Sequence, residues 1–89
     1  RKDATARIEA MELAKKDKNY FDVLETVAHS ETEYDEEMAR ESNLSRNEFF
    51  QTVGIMAEEG YLVHNGSTEL TEKGEHALSG TYILMEEHN

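Results

Sequence analysis

The chain has no cysteine among its 89 residues. This excludes a disulfide framework and a thiolate metal site, and it is compatible with the cytoplasm, where disulfides are rare. No apolar run approaches the length a membrane-spanning helix needs, and no signal-peptide pattern opens the sequence, so a soluble cytoplasmic protein without a membrane partner is expected. A glycine-rich phosphate loop is absent too. Gly60, Gly66, Gly74 and Gly80 have separate local explanations as a helix stop, a turn, a packing site and a helix break. His29, His64, His76 and His88 show no close ligand spacing such as H-x-x-x-H, and no cysteine assists them as metal ligands. Glu36-Glu37 and Glu58-Glu59 read as solvated helix charges, not as an acid-base pair. No catalytic residue, cofactor or metal site is assigned, and an enzyme is not expected.

Cations are the second shortage. Nine Lys and Arg stand against 20 Asp and Glu, a formal net charge of -11. Residues 31 to 45 carry Glu31, Glu33, Asp35, Glu36, Glu37 and Glu41 against Arg40 alone. Only the first eighteen residues are net positive, with Arg1, Lys2, Arg7, Lys15, Lys16 and Lys18 against Asp3, Glu9, Glu12 and Asp17. Phosphate affinity comes mainly from Lys and Arg displacing condensed counterions, so the average surface should hold duplex DNA weakly. The same excess of acid suits a basic protein partner, mimicry of DNA's negative charge, or work in very high salt.

A chain of this length allows one domain with a small core, for which dimerisation through an added helix is an ordinary way to gain stability. It opens on Arg rather than Met, as a fragment or a processed chain would. Three parts are expected: an N-terminal helix within 1–18, a domain over 19–79, and an apolar segment and tail over 80–89.

The organising stretch runs from Tyr34 to Gly60 and reads as two helices about a tight corner. Asp35 is the expected N-cap of the first, with Met38 and Ala39 inward. Asn43 tolerates the left-handed conformation and is expected to stop that helix, after which Leu44 turns into the core. Ser45 and Glu48 form an S-x-x-E capping box that opens a helix over 46–59, where Phe49, Val53, Met56 and Ala57 share one face and Gly60 marks the end. Tyr61 to His64 then forms a strand, Asn65-Gly66 a two-residue hairpin turn, and Ser67 to Thr71 the return strand. The apolar run from Tyr61 to Val63 suggests cover on both faces.

Before this stretch, residues 3 to 17 are rich in helix formers, and Ala4, Ile8, Met11 and Lys15 mark a stripe with Leu13 and Ala14 beside it. That helix either packs on the domain or pairs with a second copy. Asn19 caps a further helix with Phe21, Leu24 and Ala28 on one face, Val23 and Val27 adjacent, and His29-Ser30 at its close. After the hairpin, Thr71 caps a helix with Ala77 and Leu78 inward, which Ser79-Gly80 is expected to break. Tyr82, Ile83, Leu84 and Met85 then either close the core or form a subunit contact.

Helix, corner, helix and hairpin, with Met38-Ala39, Leu44-Ser45-Arg46, Glu58 to Val63 and the L-T-E-K-G phrase at Leu70 to Gly74 in that order, resemble the winged helix-turn-helix family of transcriptional regulators over roughly residues 20 to 79. Asn43 stands where that family usually has Gly. The resemblance implies an α+β, mainly α fold: a winged helix-turn-helix with a short β-hairpin wing and an extra N-terminal helix. It also implies a short first strand near Tyr34, whose ring is expected to be semi-buried. The implied activity is binding of double-stranded DNA with helix 46–59 in the major groove, the chain acting as a homodimer.

Arg46, Asn47 and Gln51 are the candidate readers, since Arg pairs with guanine and Asn or Gln with adenine in a bidentate way. Phe50 can touch a thymine methyl or another protein. From the hairpin, His64, Asn65, Ser67 and Thr68 are the groove contacts within reach, and Lys73 is a candidate for phosphate. The competing expectation is an acidic interaction module whose Phe50 face or acidic helix meets a basic protein.

Overall fold

The computed structural model describes residues 2–88, and among them there are five helices and one two-stranded antiparallel sheet. The chain is α+β and mainly helical. The order is α1 (Lys2–Lys16), α2 (Tyr20–His29), α3 (Asp35–Glu41), α4 (Arg46–Glu58), β1 (Leu62–His64), β2 (Thr68–Leu70) and α5 (Glu72–Glu87). Arg1 and Asn89, included in the expected end segments, lie outside the described residues. None of the helices among the described residues is long and apolar enough to cross a membrane.

The core is built where α1, α2, α3, α4, β1 and α5 converge, around Leu13, Val23, Leu24, Met38, Phe49, Met56, Tyr61, Leu62 and Ala77. On α2 the inward face is Val23, Leu24 and Val27; Ala28, expected inward, is exposed, and Phe21 is half-buried. Phe21 lies at the edge of the helix and meets the Tyr82 ring edge-on at 5.8 Å. Asn19 occupies the N-cap of α2 without a side-chain cap, its own N–H donating to Asp17 Oδ1 at 2.7 Å.

The corner between α3 and α4 forms by a different route from the one expected. Tyr34, not Asp35, is the N-cap of α3, and among the described residues no non-glycine residue has positive φ, so Asn43 is not left-handed. Ser42 ends the helix instead. Its N–H donates to Met38 O at 3.0 Å, its hydroxyl donates to Ala39 O at 2.7 Å, and its Oγ accepts from the Leu44 N–H at 3.3 Å. One hydroxyl thus satisfies a carbonyl that the helix end would leave open and shapes the next turn, which relieves Asn43 of that task. Tyr34 lies in an extended segment that forms no strand, and at 65% exposure it is not semi-buried.

α4 starts at the capping box: Ser45 Oγ accepts from the Glu48 N–H at 3.2 Å, and Glu48 Oε1 accepts from the Ser45 N–H at 3.0 Å. Accepting that backbone bond, and then the bond to the Ser45 side chain, holds the Glu48 carboxyl below its usual range. At the other end Gly60 has φ 87, which few residues with a Cβ adopt. Its N–H donates to Ala57 O at 3.1 Å and that of Tyr61 to Met56 O at 2.9 Å, the paired bonds that close a helix and redirect the chain. The buried face of α4 is Phe49, Thr52 and Met56. Ala57, expected inward, is exposed; Thr52 takes the inward place, its hydroxyl satisfied by Asp17 Oδ1 at 3.0 Å.

β1 and β2 pair antiparallel with Leu62 opposite Leu70, Val63 opposite Glu69 and His64 opposite Thr68. This register leaves Asn65, Gly66 and Ser67 as a three-residue loop, not the two-residue turn expected. The Asn65 N–H donates to Ser67 O at 2.9 Å, and only Gly66 is left-handed, at φ 81, whereas the favoured Asn-Gly turn needs positive φ at both residues. Val63 is 44% exposed, so the strand is covered on one face only.

α1 buries Ala6, Ala10 and Leu13 and leaves Ile8 and Met11 exposed at 56% and 51%, the reverse of the expected stripe. Close approach to α5 explains the choice. The helices run antiparallel: the Arg7 guanidinium meets the Glu87 carboxylate at one end, and Glu12, Lys15 and Lys16 lie near Lys73 at the other. At their crossing, a Cβ on Gly80 would overlap the Ala6 carbonyl and come within 3.0 Å of Arg7 N. Only small residues fit there, and Gly80, expected to break α5, sits inside a helix that continues to Glu87.

Tyr61 is 1% exposed, with Lys73 Nζ 4.4 Å from its ring centroid and its hydroxyl donating to Glu9 Oε1 at 3.5 Å. Burial, then the negative charges of Glu9, Glu12 and Glu59, push its phenol from 10.0 up to about 12. The neutral phenol is therefore favoured by folding. Its contribution is complete below pH 10.0 and is lost as pH rises toward about 12, where the unfolded chain ionises first. Urea midpoints measured between pH 8 and 12 should fall over that window, and Tyr61→Phe should flatten the fall.

Candidate nucleic-acid interface

The outward side of α4 follows from its inward one. With Phe49, Thr52 and Met56 in the core, Asn47, Gln51, Gly54 and Glu58 lie on the opposite face at spacings of four, three and four, and all are exposed. This face ends in a carboxylate and carries no cation. Two polar amides one turn apart beside a flat glycine can hydrogen-bond a base edge, an amide or a peptide backbone.

Arg46 lies at the flank of that face, facing α3. Its Nε donates to Glu36 Oε1 at 2.8 Å and its Nη2 to Glu36 Oε2, a two-point grip, while its guanidinium carbon lies 4.9 Å from the centroid of the Phe50 ring. The hydrogen bond to Arg46 holds the Glu36 carboxyl below its usual range, and the arginine is held correspondingly more firmly protonated. Both side chains remain more than half exposed, so the pair is worth little to stability and the arginine can exchange partners. Phe50 is half-buried against the core and meets Phe49 edge-on at 5.4 Å, so most of its ring is committed to packing.

The hairpin is anchored to the residue before Glu36. Thr68, 5% exposed, donates its hydroxyl to Asp35 Oδ1 at 2.8 Å, and His64 Nδ1 lies 3.2 Å from Thr68 Oγ1 and 3.6 Å from Asp35 Oδ2. Adjacent carboxylates in the first turn of α3 therefore hold the hairpin and α4 at once. Asn65 is exposed at the tip of the loop, and Ser67 is half-buried with its hydroxyl 3.5 Å from Glu69 Oε2.

Lys73 belongs elsewhere. Its ammonium donates to Glu59 O at 2.7 Å and covers the Tyr61 ring, which puts it at the end of α4 opposite Arg46 and commits it to packing. The expected residues thus form three groups: Asn47 and Gln51 on the outer face, Arg46 and Phe50 on the flank, and His64, Asn65 and Ser67 on the hairpin, while Thr68, expected as a groove contact, is instead buried with its hydroxyl on Asp35. Glu36 and Asp35 were missed as participants because, in sequence, they are two of many acidic residues in a solvated run. A first-turn acidic pair ten residues before an N1 arginine was the only signal for the contact. Among the described residues no group of three or more His, Asp or Glu is placed to hold a metal ion.

Comparison with known protein families, curated proteins and solved structures finds no match.

Proposed function

We propose that this chain is a winged helix-turn-helix domain that binds double-stranded DNA as a transcriptional regulator, reading the major groove with α4. The observation that carries this reading is the exposure of Asn47 and Gln51 one turn apart in the first half of α4, directly opposite the side chains that fix the helix in the core. Such amides can bond adenine in a bidentate way, and Gly54 leaves the next turn free to approach a groove wall. The order of α2, α3, α4 and the β1–β2 hairpin supports the same assignment, with the hairpin as the wing. Arg46 joins the contact only by leaving Glu36 for a base or phosphate, so the domain should read sequence more through amides than through charge. Under this reading it works in the cytoplasm.

Fluorescence anisotropy with a mixed pool of labelled duplexes, at low and then higher salt, tests the proposal. Binding should appear at low salt and fall with added salt. The double substitution Asn47→Ala and Gln51→Ala should weaken the best-bound sequence by roughly tenfold or more, and Arg46→Ala should weaken all sequences. Absence of binding at low salt in the wild-type chain sinks the reading.

A second reading, an acidic module that docks a basic protein, is favoured by one observation: the only arginine of α4 is already paired with Glu36. It gains if the duplex pool fails to bind while an arginine-rich peptide binds in a salt-sensitive way.

A further inference from the structure

We infer that Glu36 is the internal place-holder of a phosphate site: its carboxylate fills the Arg46 fork, beside Arg40, that a backbone phosphate of a bound duplex takes in its stead. The duplex as the source of that phosphate rests on α4 facing DNA. The site itself rests on the geometry of α3 and the corner.

Glu36 and Arg40 stand four residues apart on α3 with the acid nearer the N-terminus, the order in which such a pair attracts best. Arg46, the first residue of α4, grips the same carboxylate at two points. The hydrogen bond from Arg46, and after it the charges of Arg46 and Arg40, hold that carboxyl below its usual range, so two cations act on one acid. Together with Ala39 and Leu44 these three side chains line a cleft of about 230 Å³. Small-molecule sites occupy roughly 300 to 1,000 Å³, so the cleft suits a single tetrahedral oxyanion better. A guanidinium fork bonds two oxygens of a phosphate as it bonds those of a carboxylate. Arg40 is available to help: among the described residues it enters no ion pair, whereas Arg46 is held by Glu36 and Lys73 by Glu59 O. Asn47 follows Arg46 directly, which puts the cleft at the edge of the face proposed to read bases. Displacing Glu36 costs the same for every sequence. Only a duplex that also bonds Asn47 and Gln51 then binds tightly, which makes Glu36 a filter against sequence-independent binding.

Inorganic phosphate and duplex DNA, each added to the wild type and to Glu36→Gln, test the site. The Arg46 Nε–H signal in nitrogen-15 NMR reports phosphate binding without DNA. Glu36→Gln should lower the phosphate concentration at half-shift roughly fivefold or more, and adding Arg40→Ala to it should reverse the gain. In fluorescence anisotropy Glu36→Gln should bind a random-sequence duplex tighter by a similar factor, with a salt dependence steeper by about one charge. Glu37→Gln removes the same charge one residue away, where the acid accepts from the Thr32 hydroxyl at 2.6 Å, and should leave the phosphate response within about twofold of the wild type. Glu36, Glu37 and Arg40 are all exposed, so thermal unfolding of the variants should stay near that of the wild type. A Glu36→Gln chain whose Arg46 signal answers phosphate no better than the wild type or Glu37→Gln overturns the place-holder and leaves the DNA reading standing. A gain with free phosphate and binding of no duplex by any variant overturns the duplex as the ligand, and the DNA reading with it.

Discussion

Replacing Gly80 by alanine should destabilise the chain by about 2 to 3 kcal/mol and loosen α1 from α5, although the same change in an ordinary helix interior would stabilise it by about 1 kcal/mol. The sign decides. The added methyl overlaps the Ala6 carbonyl, and backbone, unlike the end of a flexible side chain, cannot swing away. The two helices must separate, which lifts Ala6, Ala10 and the N-terminal half of α1 from their seats. Equilibrium urea unfolding gives the loss of stability, and amide exchange localises it to α1. Ser79→Ala, an exposed neighbour on the same helix, is the control and should stay within about 0.5 kcal/mol of the wild type. A stabilised Gly80→Ala chain would mean that the two backbones do not approach as closely as described.

Phe49→Ala should cost more, about 3 to 5 kcal/mol. Phe49 is 1% exposed and belongs to the central cluster with Met38, Met56 and Tyr61, and its ring supports Phe50 edge-on. Truncation leaves a cavity beneath α4 that its neighbours, tied into helices on several sides, can fill only in part. Domain stabilities of about 5 to 15 kcal/mol leave little margin for such a loss in a core this small. A drop in the urea midpoint at unchanged slope would show lost stability, and a smaller slope would show that the native state itself had loosened. Phe50→Ala should be milder, since that ring is half-buried, and it also removes the surface over which the Arg46 guanidinium lies.

The contrast between these two positions shows what was legible in the residues. Phe49 announces itself: it lies one turn after Ser45 in a capping box and shares a face with Met56, so local pattern and tertiary packing agree. α4, its cap, its stop at Gly60 and its exposed Arg46, Asn47 and Gln51 could all be read for that reason. Gly80 misleads because a lone glycine after serine looks the same whether it breaks a helix or admits a neighbouring backbone, and only the placement of α1 tells the two apart. α1 misleads similarly. Its larger apolar residues, Ile8 and Met11, form the more conspicuous stripe, yet the crossing at Gly80 accepts only alanines. In the hairpin the Asn-Gly signal located the reversal correctly but not its length, because pairing of Leu62 with Leu70 fixes the register from outside the turn.

At the candidate interface, residue types and exposure were legible, while the pairing of Arg46 with Glu36 and the removal of Lys73 to the Tyr61 ring were not. Both depend on which of several equivalent charges happens to lie within reach once the helices are packed. The count of acidic residues before Arg46 gives no preference for Glu36 over Glu37 or Glu41.

The neighbouring carboxylates at the start of α3 act as a yoke. One holds the buried Thr68 and the other the exposed Arg46, so the hairpin is seated firmly on α3 while the arginine at the leading end of α4 can let go. A partner that draws Arg46 away uncovers the Glu36 carboxylate and leaves the seat of the hairpin on Asp35 in place.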